Sequence, residues 1–148
     1  MARYGLLYGI CGMLLCFTAC NNELESGIPA SKVNLSLDLS MGDFKLTSPL
    51  TSMSYIRPRI SGEATGYGGI LVVSGFNDQL FAYDLSCPNE KQPSIRIVPS
   101  DNGTATCPVC NTLYDTANGS GNSIKGAQKL ILQRYRCLRN GSKIRVVN

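Results

Sequence analysis

The chain of 148 residues contains no histidine. That removes the Ser-His-Asp triad, the His-paired cysteine nucleophile, His-ligated zinc and the imidazole proton shuttle together. Tryptophan is absent too, without a functional consequence. Charge is sparse, with 16% Asp, Glu, Lys and Arg and a formal net charge of +4. The densest basic group (Lys129, Arg134, Arg136, Arg139, Lys143, Arg145) falls where strands are expected. Alternation would turn such residues outward into a solvated sheet face, not a nucleic-acid footprint. No apolar run reaches the roughly 20 residues that span a bilayer comfortably. Outside the first residues no segment carries a 3.6-residue period, so helices are not expected.

What remains is rich in turn formers, including 15 glycines and 7 prolines, and reads as an all-β protein. Residues 1–19 read as an address. Met1-Ala2-Arg3 is a positive start, Tyr4 to Phe17 an apolar core of signal-peptide length, and Phe17-Thr18-Ala19-Cys20 resembles the bacterial lipobox. On that resemblance cleavage follows Ala19 and Cys20 carries the acyl chains, a membrane anchor of more than one chain. Residues 20–32 read as a tether and residues 33–148 as one domain.

Within the domain, Val33, Leu35, Leu37 and Leu39 alternate with Asn34, Ser36 and Asp38, as in a half-buried antiparallel strand. Phe44–Leu46 and Ser54–Arg57 are weaker strands, the second ended by Pro58. Gly66-Tyr67-Gly68-Gly69 lacks the third glycine and helix of a dinucleotide cradle, so it predicts a turn or a close backbone approach and no nucleotide. Further strands are expected over Ile70–Ser74, Gln79–Leu85, Ser94–Val98 and Thr104–Cys107. Residues 116–125 read as a loop, and Leu130–Cys137 with Lys143–Val147 as a closing hairpin around Asn140-Gly141.

Two cysteine-bearing stretches stand between strands: Cys87-Pro88-Asn89-Glu90 and Cys107-Pro108-Val109-Cys110-Asn111-Thr112-Leu113-Tyr114-Asp115. The chain from about Gly68 to Asn148 resembles the Rieske iron–sulfur domain. That family carries Cys-x-His and Cys-x-x-His loops, a Gly-Ser-x-Phe-Asp tail, a proline-rich covering turn and a last hairpin. Gly126-Ala127-Gln128 stands at the covering turn. Leu130, Tyr135, Gly141, Ile144 and Val146 fit the hairpin. The resemblance implies an antiparallel β sandwich with two cluster-binding loops. It also sets Asn89 and Cys110 at the two histidine positions, so a conventional 2Fe-2S Rieske centre, with imidazoles on one iron, is excluded.

For Cys87, Cys107, Cys110 and Cys137 three uses stay open. One is a disulfide stapling the loops, consistent with an exported location and an even thiol count. Another is zinc or a Cys-ligated 2Fe-2S cluster on Cys87, Cys107 and Cys110, with Cys137, Asn89 or Glu90 as fourth ligand. The last is a thiol–disulfide exchange motif, which here lacks the helix N-terminus that activates it. Glu90 and Asp115 read as solvated loop carboxylates rather than a catalytic pair, and Tyr83, Tyr114 and Tyr135 as core or rim residues. The expectation is a non-enzymatic, lipid-anchored binding or structural module of the cell envelope. Its cluster site is degenerate and cofactor-free, and it docks an envelope protein. The alternative is a metal-binding or electron-transfer protein on the same loops.

Overall fold

The computed structural model describes residues 26–126 and 130–148. The signal segment, the lipid-bearing Cys20, residues 20–25 of the tether, and Ala127 and Gln128 of the covering turn lie outside the described residues.

Among the described residues eleven strands form two antiparallel sheets. They are β1 (Val33–Asp38), β2 (Ser52–Tyr55), β3 (Ala64–Thr65), β4 (Ile70–Ser74), β5 (Leu80–Asp84), β6 (Val98–Pro99), β7 (Thr104–Thr106), β8 (Leu113–Asp115), β9 (Ser123–Lys125), β10 (Arg134–Asn140) and β11 (Lys143–Val147). The larger sheet runs β2-β4-β5-β10-β11-β1-β3 and the smaller β6-β7-β8-β9. The expected class, all-β and antiparallel with two cysteine-bearing loops, holds.

The larger sheet curls around its own core. Val33, Leu35 and Leu37 of β1, Tyr55 of β2, Ile70 and Val72 of β4, Ala82 of β5 and Ile144 and Val146 of β11 meet in one cluster. The alternate residues of the middle strands, Leu71, Val73 and Tyr83, face the other way. There they pack with Leu85, Ile97, Ala105 and Tyr114 under the smaller sheet. Hence all five residues of β4 are buried: a strand apolar over Ile70–Val73 suits a wall covered on both faces. At about 1.5–3 kcal/mol per buried aliphatic side chain, this wall joins the two layers and carries the cysteine loops on its outer side.

Several boundaries differ from the sequence expectation. Phe44–Leu46 is not a strand but part of a 3-10 turn, Phe44–Thr47. Only Leu46 points inward there, and Leu46 N–H reaches Asp43 C=O three residues back (3.0 Å). Asp43 fixes the turn: its buried carboxylate accepts from Asp38 N–H (2.7 Å), Tyr55 Oη (2.8 Å) and Arg59 Nη1 (2.9 Å). Ser94–Val98 contributes only Val98 to a strand, because Ile95 and Ile97 bond instead to Cys87 and Leu85 beyond the end of β5. The stretch 116–125, expected to be loop, contains β9. The closing strand starts at Arg134 rather than Leu130 and runs on to Asn140. Asn140 pairs with Lys143, so the hairpin turn is Gly141-Ser142 with Gly141 at φ +61°. Of the tether, Ser26 and Ile28 are buried, and Ser26 Oγ donates to Gln133 Oε1 (2.5 Å).

Candidate metal centre

Each cysteine loop is the same small knuckle. In the first, Cys87 N–H bonds Ile95 C=O (3.0 Å) and Lys91 N–H returns to Cys87 C=O (2.9 Å). In the second, Cys107 N–H bonds Thr112 C=O (2.9 Å) and Asn111 N–H returns to Cys107 C=O (3.0 Å). Proline after each cysteine fixes φ and removes a donor that the turn does not use. The fifth residue of each is left-handed, Lys91 at φ +52° and Asn111 at φ +55°. Asparagine tolerates that region; lysine pays about 1–2 kcal/mol for it. Matched position by position, Cys87 corresponds to Cys107, and Glu90 to Cys110. The shared Cys-Pro start was the visible trace of this repeat, but Glu90 in place of a second Cys-x-x-Cys concealed it.

The knuckles face each other. The sulfurs of Cys87, Cys107 and Cys110 all lie within 4.8 Å of one another, with Cys87 and Cys110 3.6 Å apart. Cys87 and Cys107 are buried, Cys110 half-buried, and all are free thiols. Cys137 is not among them. It packs on the curled-sheet core, where burial pushes its thiol up to about 11. Asn89 stands between the knuckles: its Nδ2 is 3.4 Å from Cys110 Sγ and donates to Thr112 Oγ1 (3.0 Å). Its Oδ1 is buried without a partner among the described residues, an arrangement that costs about 1–3 kcal/mol. Tyr114 Oη lies 3.6 Å from Cys87 Sγ.

The three thiols are electrostatically unequal. Burial pushes Cys87 up to about 12. At Cys110 burial acts in the same direction but is outweighed by hydrogen bonds from Thr112 and Asn89, and the thiol falls to about 7. Thr112 Oγ1 is 3.2 Å from Cys110 Sγ. It accepts from Asn89, which leaves its own proton for the sulfur once ionised. Burial and the neighbouring cysteines hold the Tyr114 phenol above its usual range, so it stays a hydrogen-bond donor.

The donor set decides which group fits. A tetrahedral ion with metal–sulfur bonds near 2.3 Å separates its sulfurs by roughly 3.8 Å, close to the Cys87–Cys110 distance. A two-iron cluster spreads its ligands over two metals, and three sulfurs drawn this close do not match that breadth. The imidazoles of a Rieske centre have no counterpart in the chain. The set therefore suits a single thiophilic ion.

Behind the first knuckle stands Asp84, fully buried. Its carboxylate accepts from Tyr67 N–H (2.8 Å), Gly68 N–H (3.0 Å), Ser86 N–H (2.8 Å) and Tyr135 Oη (2.7 Å). It thus ties the glycine turn to the residue preceding Cys87. A Cβ on Gly68 would sit 2.0 Å from Ser86 Oγ, so the glycine run serves a close approach, as expected. Asp115 is absorbed locally, accepting from Ala117 N–H (3.1 Å) and from the Asn118 amide. The roles of Asp84 and Thr112 were not visible beforehand: both are short polar residues within strand-like sequence.

Thiol reactivity should follow this order. In reduced, metal-free protein at pH 8, iodoacetamide is expected to modify Cys110 first, since it is accessible and mostly ionised above about 7. Cys137 should follow slowly, and Cys87 and Cys107 only on unfolding. Mass mapping of the modified peptides checks this, and prior labelling of Cys87 would contradict it.

No known protein family and no curated protein matches the chain. Among solved structures, the ferredoxin of carbazole 1,9a-dioxygenase from Nocardioides aromaticivorans IC177 is similar. The match covers 79% of this chain and 95% of that one, at 17% identity and a TM-score of 0.44.

Proposed function

We propose that this chain is a lipid-anchored protein of the bacterial cell envelope, Rieske-like in fold, whose facing knuckles hold one thiophilic metal ion on Cys87, Cys107 and Cys110. The observation that carries the metal is the set of three sulfurs within 4.8 Å of one another, two of them on buried residues. The anchor follows from the lipobox-like Phe17-Thr18-Ala19-Cys20. The ion's work is structural. It pins the two loops to each other on the outer side of the β4–β5 wall and shapes a surface that docks another envelope protein. Binding draws protons off the thiols, the raised Cys87 among them, so affinity falls as the pH is lowered.

A second reading is favoured by the 3.6 Å between Cys87 and Cys110. Oxidised, these two would staple the same loops without metal. The readings part in calorimetric titration of reduced, metal-free full chain in detergent with zinc. One ion per chain is the expected result, with no heat from the Cys107→Ser variant. Absence of binding would leave the stapled, cofactor-free module. Membrane fractionation of Cys20→Ser tests the anchor separately: the variant should lose lipid modification detectable by mass.

A further inference from the structure

We infer that Asn89, through Oδ1, is the fourth ligand that closes the site; this rests on the metal reading above. A structural tetrahedral ion requires four donors, and three are cysteines. The knuckle repeat puts Glu90 opposite Cys110, so symmetry nominates Glu90. Distance does not. Among the described residues the cysteines gather no carboxylate into their group, whereas the Asn89 amide touches Cys110 Sγ through Nδ2 at 3.4 Å. Its other end, Oδ1, is a buried acceptor without a donor among the described residues.

The amide is also held for the task. Nδ2 donates to Thr112 Oγ1 at 3.0 Å, fixing the orientation in which the carbonyl oxygen must find its own partner. Thr112 is tied in turn to Cys110 at 3.2 Å. Ligand amides and imidazoles are oriented by such outer contacts. Charge favours a neutral donor as well. Three thiolates and a divalent ion leave one negative charge in a buried place, and a carboxylate would raise it to two at a further desolvation cost. Coordination of the ion by the amide oxygen gives that oxygen its partner without adding charge.

Cobalt(II) is the probe. Reduced full chain in detergent is titrated with cobalt, read by its visible absorption, and then with competing zinc. Wild type should give the strong bands of a tetrahedral thiolate-rich ion, one per chain. Asn89→Ala should keep the thiolate charge-transfer bands, shift the ligand-field bands, and weaken zinc binding about tenfold or more as water replaces the amide. Asn89→Asp should restore tetrahedral bands, while Glu90→Gln should match wild type. Far-UV circular dichroism of each variant establishes that it is folded. Asn89→Ala indistinguishable from wild type, or loss of affinity in Glu90→Gln, would overturn the assignment of Asn89 while leaving the three-thiol site intact. A wild-type chain that binds neither ion overturns both.

Discussion

Asp84→Asn should destabilise the protein by roughly 3–5 kcal/mol. The carboxylate is fully buried and accepts main-chain hydrogens from Tyr67, Gly68 and Ser86 and the hydroxyl of Tyr135. An amide presents one acceptor oxygen and turns an NH2 toward donors on the other side. About two charge-assisted bonds are lost, at about 1.5–3 kcal/mol each. A fall in the urea midpoint with unchanged m-value measures the effect. Because Ser86 N–H is one of the donors and Cys87 comes next, metal affinity should weaken with stability. Asp115→Asn, whose carboxylate is held by nearby loop residues, should shift stability by less than about 1 kcal/mol. Equal losses for the two would remove Asp84 from its supporting role.

Cys107→Ser should abolish stoichiometric zinc binding, while Cys137→Ser leaves it at the wild-type level. Cys107 is buried against Cys87 and Tyr114 in the outer core, and serine there offers a hard, weakly acidic hydroxyl where the ion takes a soft thiolate. The apo domain should tolerate the change, since the β4–β5 wall and both sheets are independent of the metal. A Cys107→Ser variant that retains one zinc per chain would show that the ligands lie elsewhere.

How much of this could be read beforehand depended on how far each pattern ran. Val33–Asp38 alternates over a full strand, and Ile70–Val73 is an unbroken apolar run; both were legible because burial on one face or on two leaves a simple period. Residues 44–46 and 123–125 are too short for a period to form. Asp43 pins the first as a turn, while exposed Ile124 gives the second no inward face to recognise. The loops were found through their cysteines, but the site's logic is three-dimensional. Asn89 reads as a vacant histidine position until Oδ1 is seen buried and, among the described residues, unpaired. Asp84 is only one polar residue of the strand expected over Gln79–Leu85, until four donors converge on it. The joining of Cys87 with Cys110 across the knuckles, and the seating of Cys137 on the curled-sheet core, come from topology.

The most direct test is the metal and acid-labile sulfide content of the full chain, purified anaerobically in detergent from cells able to assemble iron–sulfur clusters. A site built of three close thiols predicts one zinc per chain, with neither iron nor labile sulfide. Two irons with matching sulfide would contradict the single-ion geometry, and a metal-free chain with a Cys87–Cys110 disulfide would replace it with the stapled scaffold.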